Sequence, residues 1–251
     1  MRTRHLFISG LFVAILVAAT AAFVLRGNGS RASDQQRLAP SDHDLVCAPK
    51  SRPKATVMLF HPGGFISGRA TDFTRECHFF ATHRYLAVSI SYPRQLGPAI
   101  HEAESRARSL GVPAHKAHRP VFAYGLSAGG TFAATLAARG DVDAAFSYAG
   151  IYDIAMWTRA NPSYLRSLEV TRAQLIRLSP VNLKLTHPSP LLIAHNPHDI
   201  VAPYTAALRM ARRSSRFGLM TLRRPANGYA AHILHPLTPA LAFYEQHRKR
   251  R

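Results

Sequence analysis

The stretch VFAYGLSAGGTFAATLAARG, residues 121–140, decides how the rest of the chain is read. With Pro120 before it, its first part (120–125) is an apolar run of the kind found in a strand buried on both faces. Ala128 to Arg139 is alanine-rich and helical, with Gly140 placed to end it. Ser127 stands between the two, and a serine before an apolar periodic run is a common helix N-cap. A cap has no need of the flanking glycines. In Gly125-Leu126-Ser127-Ala128-Gly129 they let a sharp strand-to-helix turn pass without side-chain clash, and the turn exposes the serine hydroxyl at a strand end. The helix that starts there favours negative charge beside its N-terminus. Ser127 is therefore read as a nucleophile, and the amide of Ala128 as a donor to an oxyanion.

Outward from this corner, short apolar runs alternate with helical stretches. Strands are expected at 55–60, 86–92, 120–125, 144–150, 190–196 and 219–224. Helices are expected at 73–85, 98–110, 128–139, 207–214 and 236–250. In the second of these, Ile100, Ala103, Ala107 and Leu110 fall on one face at helical spacing. Residues 152–180 are more polar and irregular. The alternation predicts an α/β protein, a mostly parallel sheet with helices on both faces. Ligands of such sheets bind at the carboxyl ends of the strands.

Other candidate residues fall at those ends. His61-Pro62-Gly63-Gly64-Phe65 follows the strand at 55–60. Gly63 and Gly64 in succession can turn two N–H groups toward one point and, with Ala128, cradle a tetrahedral intermediate; an ordinary Pro-Gly turn is the alternative. Asp199 follows the strand at 190–196 within a short loop, and His232 lies between the strand at 219–224 and the last helix. The chain order Ser127, Asp199, His232 is a known order of a nucleophile–acid–base triad and is that of neither familiar serine-protease type. His235 and Asp153 compete for the roles of base and orienting acid. His232 is preferred because Gly228 and two alanines leave room around it, whereas His235 precedes Pro236 at a helix entry. Asp199 is preferred over Asp153 by its place late in the chain.

Taken together, these residues resemble the α/β-hydrolases of esterase and lipase type, similar to the hormone-sensitive-lipase-like and small carboxylesterase families, over roughly residues 54–247. HPGGF resembles H-G-G-G-[FW], GLSAGG resembles G-x-S-A-G-G, and HNPHDIVAP resembles H-G-x-x-D-x-x-V-P. GYAAHIL is similar to the histidine loop. Pro62 departs from the pattern and has no N–H to donate, and SYPRQLGP departs further from Y-R-L-A-P. The resemblance implies a serine hydrolase in which Ser127, Asp199 and His232 are catalytic and Gly63, Gly64 and Ala128 form the oxyanion hole. It implies a small-molecule ester substrate, no metal and no organic cofactor. Phe65 and Trp157, with Tyr152 and Tyr164, either line one side of the substrate pocket or simply pack. An amide-cleaving member of the same fold is the alternative among enzymes. A non-catalytic basic envelope-binding protein on this scaffold is the alternative from another class.

A chain of 251 residues with 47% hydrophobic content can bury one good-sized core. Its 32 Lys+Arg against 13 Asp+Glu give a formal net charge of +19. The basic residues are scattered and no nucleic-acid module is recognisable, so nonspecific attraction to anionic surfaces is expected rather than specific nucleic-acid binding. Cys47 and Cys77 have no metal-ligand spacing and form either one disulfide or two buried thiols. The N-terminus reads MRTRH followed by an uncharged run at 6–25. That run exceeds the ~7–15 residues of a signal-peptide core and matches the ~20 of a membrane helix. Small residues at 18–22 also suit a signal peptidase. The expected organisation is a signal anchor or signal peptide at 1–25, an extracytoplasmic linker at 26–53, and a catalytic domain at 54–251. The domain would face outside the cytoplasm, held to the membrane by the N-terminal segment or secreted.

Overall fold

The computed structural model of the protein describes residues 43–222, 228–233 and 236–248. The expected signal segment, most of the expected linker, and His235 lie outside the described residues.

The elements follow in the order β1 (Leu45–Cys47), β2 (Ala55–Phe60), a 3-10 turn (Ala70–Phe73) that runs into α1 (Thr74–Thr82), β3 (Tyr85–Ser89) and α2 (Leu96–Lys116). Next come β4 (Val121–Leu126), α3 (Ala128–Arg139) and β5 (Ala144–Tyr148), then the short helices α4 (Ile154–Ala160), α5 (Pro162–Ser167) and α6 (Arg172–Leu178). The chain closes with β6 (Leu191–His195), α7 (Tyr204–Ala211), β7 (Phe217–Thr221), α8 (Tyr229–His232) and α9 (Leu237–Arg248).

The strands form one sheet in the order β1-β3-β2-β4-β5-β6-β7. β1 runs antiparallel to β3, and every other pair is parallel. Parallel neighbours need long crossovers, and the helices supply them. The chain leaves β2 for β3 on one side, then returns to place β4 on the other. The carboxyl ends of β2 and β4 thus flank the point where the winding direction reverses, which is where open α/β sheets bind ligands.

β2, β4 and β5 are buried at every residue, which explains their near-continuous apolar sequences. Alternate side chains serve two cores. Met58, Phe60 and Ala123 pack with Leu96, Ile100, Leu110, Phe132 and Met210 from α2, α3 and α7. Val57, Leu59, Phe122 and Tyr124 pack with Phe80 of α1 and Tyr244 of α9. Gly140 ends α3 in the left-handed conformation, φ 79°, as its position after Arg139 predicts.

Three segments differ from expectation. Residues 43–53, expected as the end of the linker, contain β1, whose three residues are too few to show a pattern. Its place comes from tertiary ties: Cys47 is disulfide-bonded to Cys77 of α1, the Asp44 carboxylate accepts the Ser91 amide at 2.8 Å, and Asp44 pairs with Arg106 of α2. α2 runs past the expected end at Leu110 and through Pro113. One lost backbone hydrogen bond there is offset by the burial of Leu110 and Ala114. The irregular-looking segment 152–180 holds α4, α5 and α6. Two of these carry local start signals: Asp153 caps α4 by accepting the Met156 amide, and Thr171 with Gln174 forms a capping box on α6. Among the described residues, no helix is long and apolar enough to cross a membrane.

Candidate active site

Ser127 sits at φ 56°, ψ −119°, a backbone region that side-chain-bearing residues rarely enter. The strain, of order 1–3 kcal/mol, is held by its surroundings. The Ser127 amide donates to the Tyr148 carbonyl at 2.9 Å, and its carbonyl accepts the Thr131 amide at 3.1 Å. A Cβ on Gly125 would lie 2.0 Å from the Gly129 carbonyl oxygen, so the motif's glycines are imposed by backbone contact. The Ser127 side chain makes no capping bond to α3. Instead its Oγ lies 2.8 Å from Nε2 of His232.

His232 is buried, with Nδ1 2.8 Å from Oδ2 of Asp199. Since a carboxylate only accepts, Nδ1 carries the proton and the Nε2 lone pair faces the Ser127 hydroxyl. Oδ1 of Asp199 accepts the amides of Val201 at 2.8 Å and Ala202 at 3.0 Å. Oδ2 also lies 3.2 Å from Nε2 of His195. Burial alone would push the Asp199 carboxyl up. Hydrogen bonds from His195 and His232, the attraction of His232 and the Ala202 amide outweigh burial and hold it well below the usual carboxylate range. Asp199 is thus an anion beside a histidine beside a serine.

Neighbouring elements fix this chain in place. The Tyr148 phenol at the end of β5 donates to the Ala231 carbonyl at 2.7 Å, tying down α8 one residue before His232. Gly228, with φ 63°, opens α8 and bridges to Asp199. Asp153 is engaged elsewhere: Oδ1 caps α4 and Oδ2 accepts from Arg209 at 2.6 Å.

The loop after β2 starts against the first turn of α3. Gly63, Gly64 and Phe65 all have positive φ, at 142°, 61° and 69°. The turn is closed by the amides of Ile66 and Ser67 donating to the Gly63 carbonyl at 3.1 and 3.0 Å. The Gly63 and Gly64 amides have no intramolecular acceptor among the described residues. The Ala128 amide, at the first position of α3, is by geometry outside the intrahelical ladder. His61 anchors the loop: its ring stacks on Tyr92 at 4.1 Å, and Nδ1 lies 2.7 Å from the Pro62 carbonyl oxygen. The Tyr92 phenol donates to the His61 carbonyl. Burial pushes the His61 imidazole below its ordinary value and so favours the neutral form.

Phe65 and Trp157 are both fully buried and meet edge to face at 5.9 Å. Half-buried Tyr164 packs on Trp157 at 4.6 Å and covers Gly64 so closely that a Cβ there would meet its ring at 2.5 Å. Tyr164 is therefore packed over Gly64, and Trp157 links it to Phe65 of the same loop. Tyr152 faces inward, its hydroxyl 2.8 Å from Oγ of Ser147. Among the described residues, no cluster of His, Cys, Asp or Glu is placed to hold a metal ion. His195, Tyr148 and Tyr92 are contributors that sequence reading passed over. His195 stands first in the HNPHD stretch, but the two tyrosines read only as strand-end residues.

A mostly parallel sheet, a strand–Gly-x-Ser-x-Gly–helix corner at its winding reversal, an acid after β6 and a histidine before the last helix define the α/β-hydrolase fold. Solved structures of this kind are similar to the chain. The Thermogutta terrifontis esterase 2 phosphoramylated by tabun matches with a TM-score of 0.65 and 18% identity, over 81% of this chain and 88% of that one. The propionate-bound form of Est2, a thermophilic esterase from the same Planctomycetes species, matches with a TM-score of 0.60 and 19% identity, over 82% and 85%. Its butyrate-bound form gives the same values. At these identities the shared property is the fold. No family model matches the chain, and no curated protein matches it.

Proposed function

We propose that the protein is a serine hydrolase that cleaves small carboxylic esters through an acyl-enzyme. The observation that carries this reading is the continuous chain from Ser127 Oγ to His232 to Asp199, with both links at 2.8 Å. His232 Nε2 takes the hydroxyl proton as Ser127 Oγ bonds to the ester carbonyl carbon. The oxyanion is received by the amides of Gly63, Gly64 and Ala128. Collapse breaks the bond to the alcohol oxygen, which leaves with the proton from His232. A water then repeats the sequence on the acyl-enzyme and releases the acid. Asp199 stays ionised throughout, orienting His232 and stabilising its transient charge.

A small acyl group is supported by Tyr164 packed over Gly64, which crowds the space beside the glycine loop. The likeness to an esterase bound to propionate or butyrate points the same way. The test is turnover of short p-nitrophenyl esters, with aryl amides alongside. Ser127→Ala should lose ester turnover while its circular dichroism is unchanged. Wild-type-like turnover by that variant, or amide cleavage faster than ester cleavage, would overturn the reading.

The reading includes action outside the cytoplasm. It is supported by the basic N-terminus with the uncharged run at 6–25 and by the Cys47–Cys77 disulfide, a bond that persists in oxidising compartments. Fractionation tests it: retention in carbonate-washed membranes marks an anchor, and an N-terminus near residue 22 marks a cleaved signal. Full-length chain free in the cytoplasm would contradict both.

A further inference from the structure

We infer that His195 is a positioning residue for Asp199, a fourth member of the hydrogen-bonded chain; the inference rests on the proposed roles of Ser127, His232 and Asp199. His195 is the last residue of β6 and fully buried. Its Nε2 lies 3.0 Å from the Ala202 carbonyl oxygen and 3.2 Å from Asp199 Oδ2. Both are acceptors, so Nε2 bears the proton and shares it between them. Nδ1 is buried with no hydrogen-bond partner among the described residues, and a proton there would have nothing to bond. The tautomer is thus fixed by the fold, with one N–H aimed at the carboxylate. Among the described residues the rings of Tyr152 and Tyr204 also face it, at 6.3 and 5.7 Å between ring centroids.

Asp199 therefore receives N–H groups from Val201 and Ala202 on Oδ1, and from His232 and His195 on Oδ2. The two amides hold one oxygen to its own loop. Without His195, Oδ2 would be tied only to His232, and carboxylate and imidazole would be free to swing together away from Ser127. His195 anchors that oxygen to β6, the strand from which the acid loop departs. By sharing the negative charge of Oδ2, it also moderates the pull of Asp199 on the Nδ1–H of His232, and with it the basicity of Nε2.

His195→Phe keeps a planar ring and removes the donor, whereas His195→Gln returns an N–H at similar reach. Turnover of a short ester is measured per site titrated by a fluorophosphonate, so that only folded, competent enzyme is counted. His195→Phe should lower kcat about 10- to 100-fold, the scale of a slightly misplaced catalytic group, with KM changed less than about threefold. The acid limb of kcat/KM against pH should move up by about half a unit, and His195→Gln should recover most of both effects. A role in packing alone would lower stability and the competent fraction but leave kcat per site and the pH profile in place. That result, with Asp199→Asn inactive, would overturn the inference and leave the triad standing. An active Ser127→Ala would instead bring down the underlying reading. Should His195→Phe not fold, the ring 15N signals of the wild-type protein decide: a protonated Nε2 with bare Nδ1 is expected, and an Nδ1–H tautomer overturns the inference.

Discussion

A Cβ built on Gly129 would lie 1.8 Å from the carbonyl oxygen of Phe60. The first turn of α3 thus touches the last residue of β2, backbone to backbone. This contact brings two loops that are distant in sequence to one point: Ser127, just before α3, and Gly63–Gly64, just after β2. The small residues of the motif serve the approach of these two segments as much as the turn itself.

Gly129→Ala should therefore be far costlier than an ordinary glycine substitution. The atoms it would strike, in Phe60 and His61, are all backbone, and the expected loss is on the order of 3 kcal/mol or outright failure to fold. Gly111, inside α2 with nothing within 4 Å of its missing Cβ, provides the contrast. Gly111→Ala should raise stability by about 0.5–1 kcal/mol through helix propensity and unfolded-state entropy. Urea denaturation of the two variants reads both signs.

The two aspartates that compete for the orienting role should separate cleanly. Asp199→Asn leaves the loop in place but offers His232 Nδ1 no full charge, so ester kcat should fall by up to about 10⁴-fold. Asp153→Asn should keep activity within about twofold. Its cost is confined to the partly exposed Arg209 pair, since asparagine caps α4 about as well as aspartate, and should stay below about 1 kcal/mol in a denaturation curve.

The Cys47–Cys77 disulfide joins β1 to α1 across a sequence separation of 30. Loop closure on that scale stabilises by about 3.5 kcal/mol. Reduction should lower the midpoint of urea unfolding accordingly, and denatured unreduced protein should show no titratable thiol from these two residues. Ester turnover at room temperature should persist after reduction, because neither cysteine touches the site.

Glu245 gives the fold an acid-sensitive tie. Burial would raise its carboxyl, but hydrogen bonds from Lys54, Tyr85 and Arg248 and the charge of Lys54 lower it from 4.5 to about 2. A carboxyl depressed in the folded state contributes stability that is complete above its unfolded value and disappears as pH falls through the folded one. The Tm advantage of wild type over Glu245→Gln should be full above pH 5, shrink from about pH 4.5 downward, and vanish near pH 2. An advantage that grew on acidification would contradict the assignment.

Sequence reading succeeded where local pattern and global fold agree. β2, β4 and β5 are apolar throughout because they are covered on both faces, and a buried strand ending in Gly-x-Ser-x-Gly leaves few alternatives. Chain order and strand ends single out Ser127, Asp199 and His232, and in the structure the three lie in one hydrogen-bonded chain. β1 was not legible because its order comes from the disulfide and from Asp44, neither of which has a local signature. The helix expected at 98–110 continues to Lys116 through Pro113, because a proline near a helix terminus removes only one bond. Of the four aromatics expected at the pocket wall or in packing, Phe65, Trp157, Tyr152 and Tyr164, the half-buried Tyr164 is the one packed over Gly64. Which of several aromatics reaches a site depends on how α4 and α5 fold back, and composition does not carry that information.

The central claim is that Ser127 is an activated nucleophile, and covalent labelling tests it most directly. The folded protein is treated with a fluorophosphonate, and intact mass and peptide mapping are followed over time. The account predicts one adduct per chain, located on Ser127, formed rapidly by wild type, much more slowly by His232→Ala, and not at all by Ser127→Ala. No adduct on folded wild-type protein, an adduct on another residue, or equal labelling of wild type and His232→Ala would contradict it.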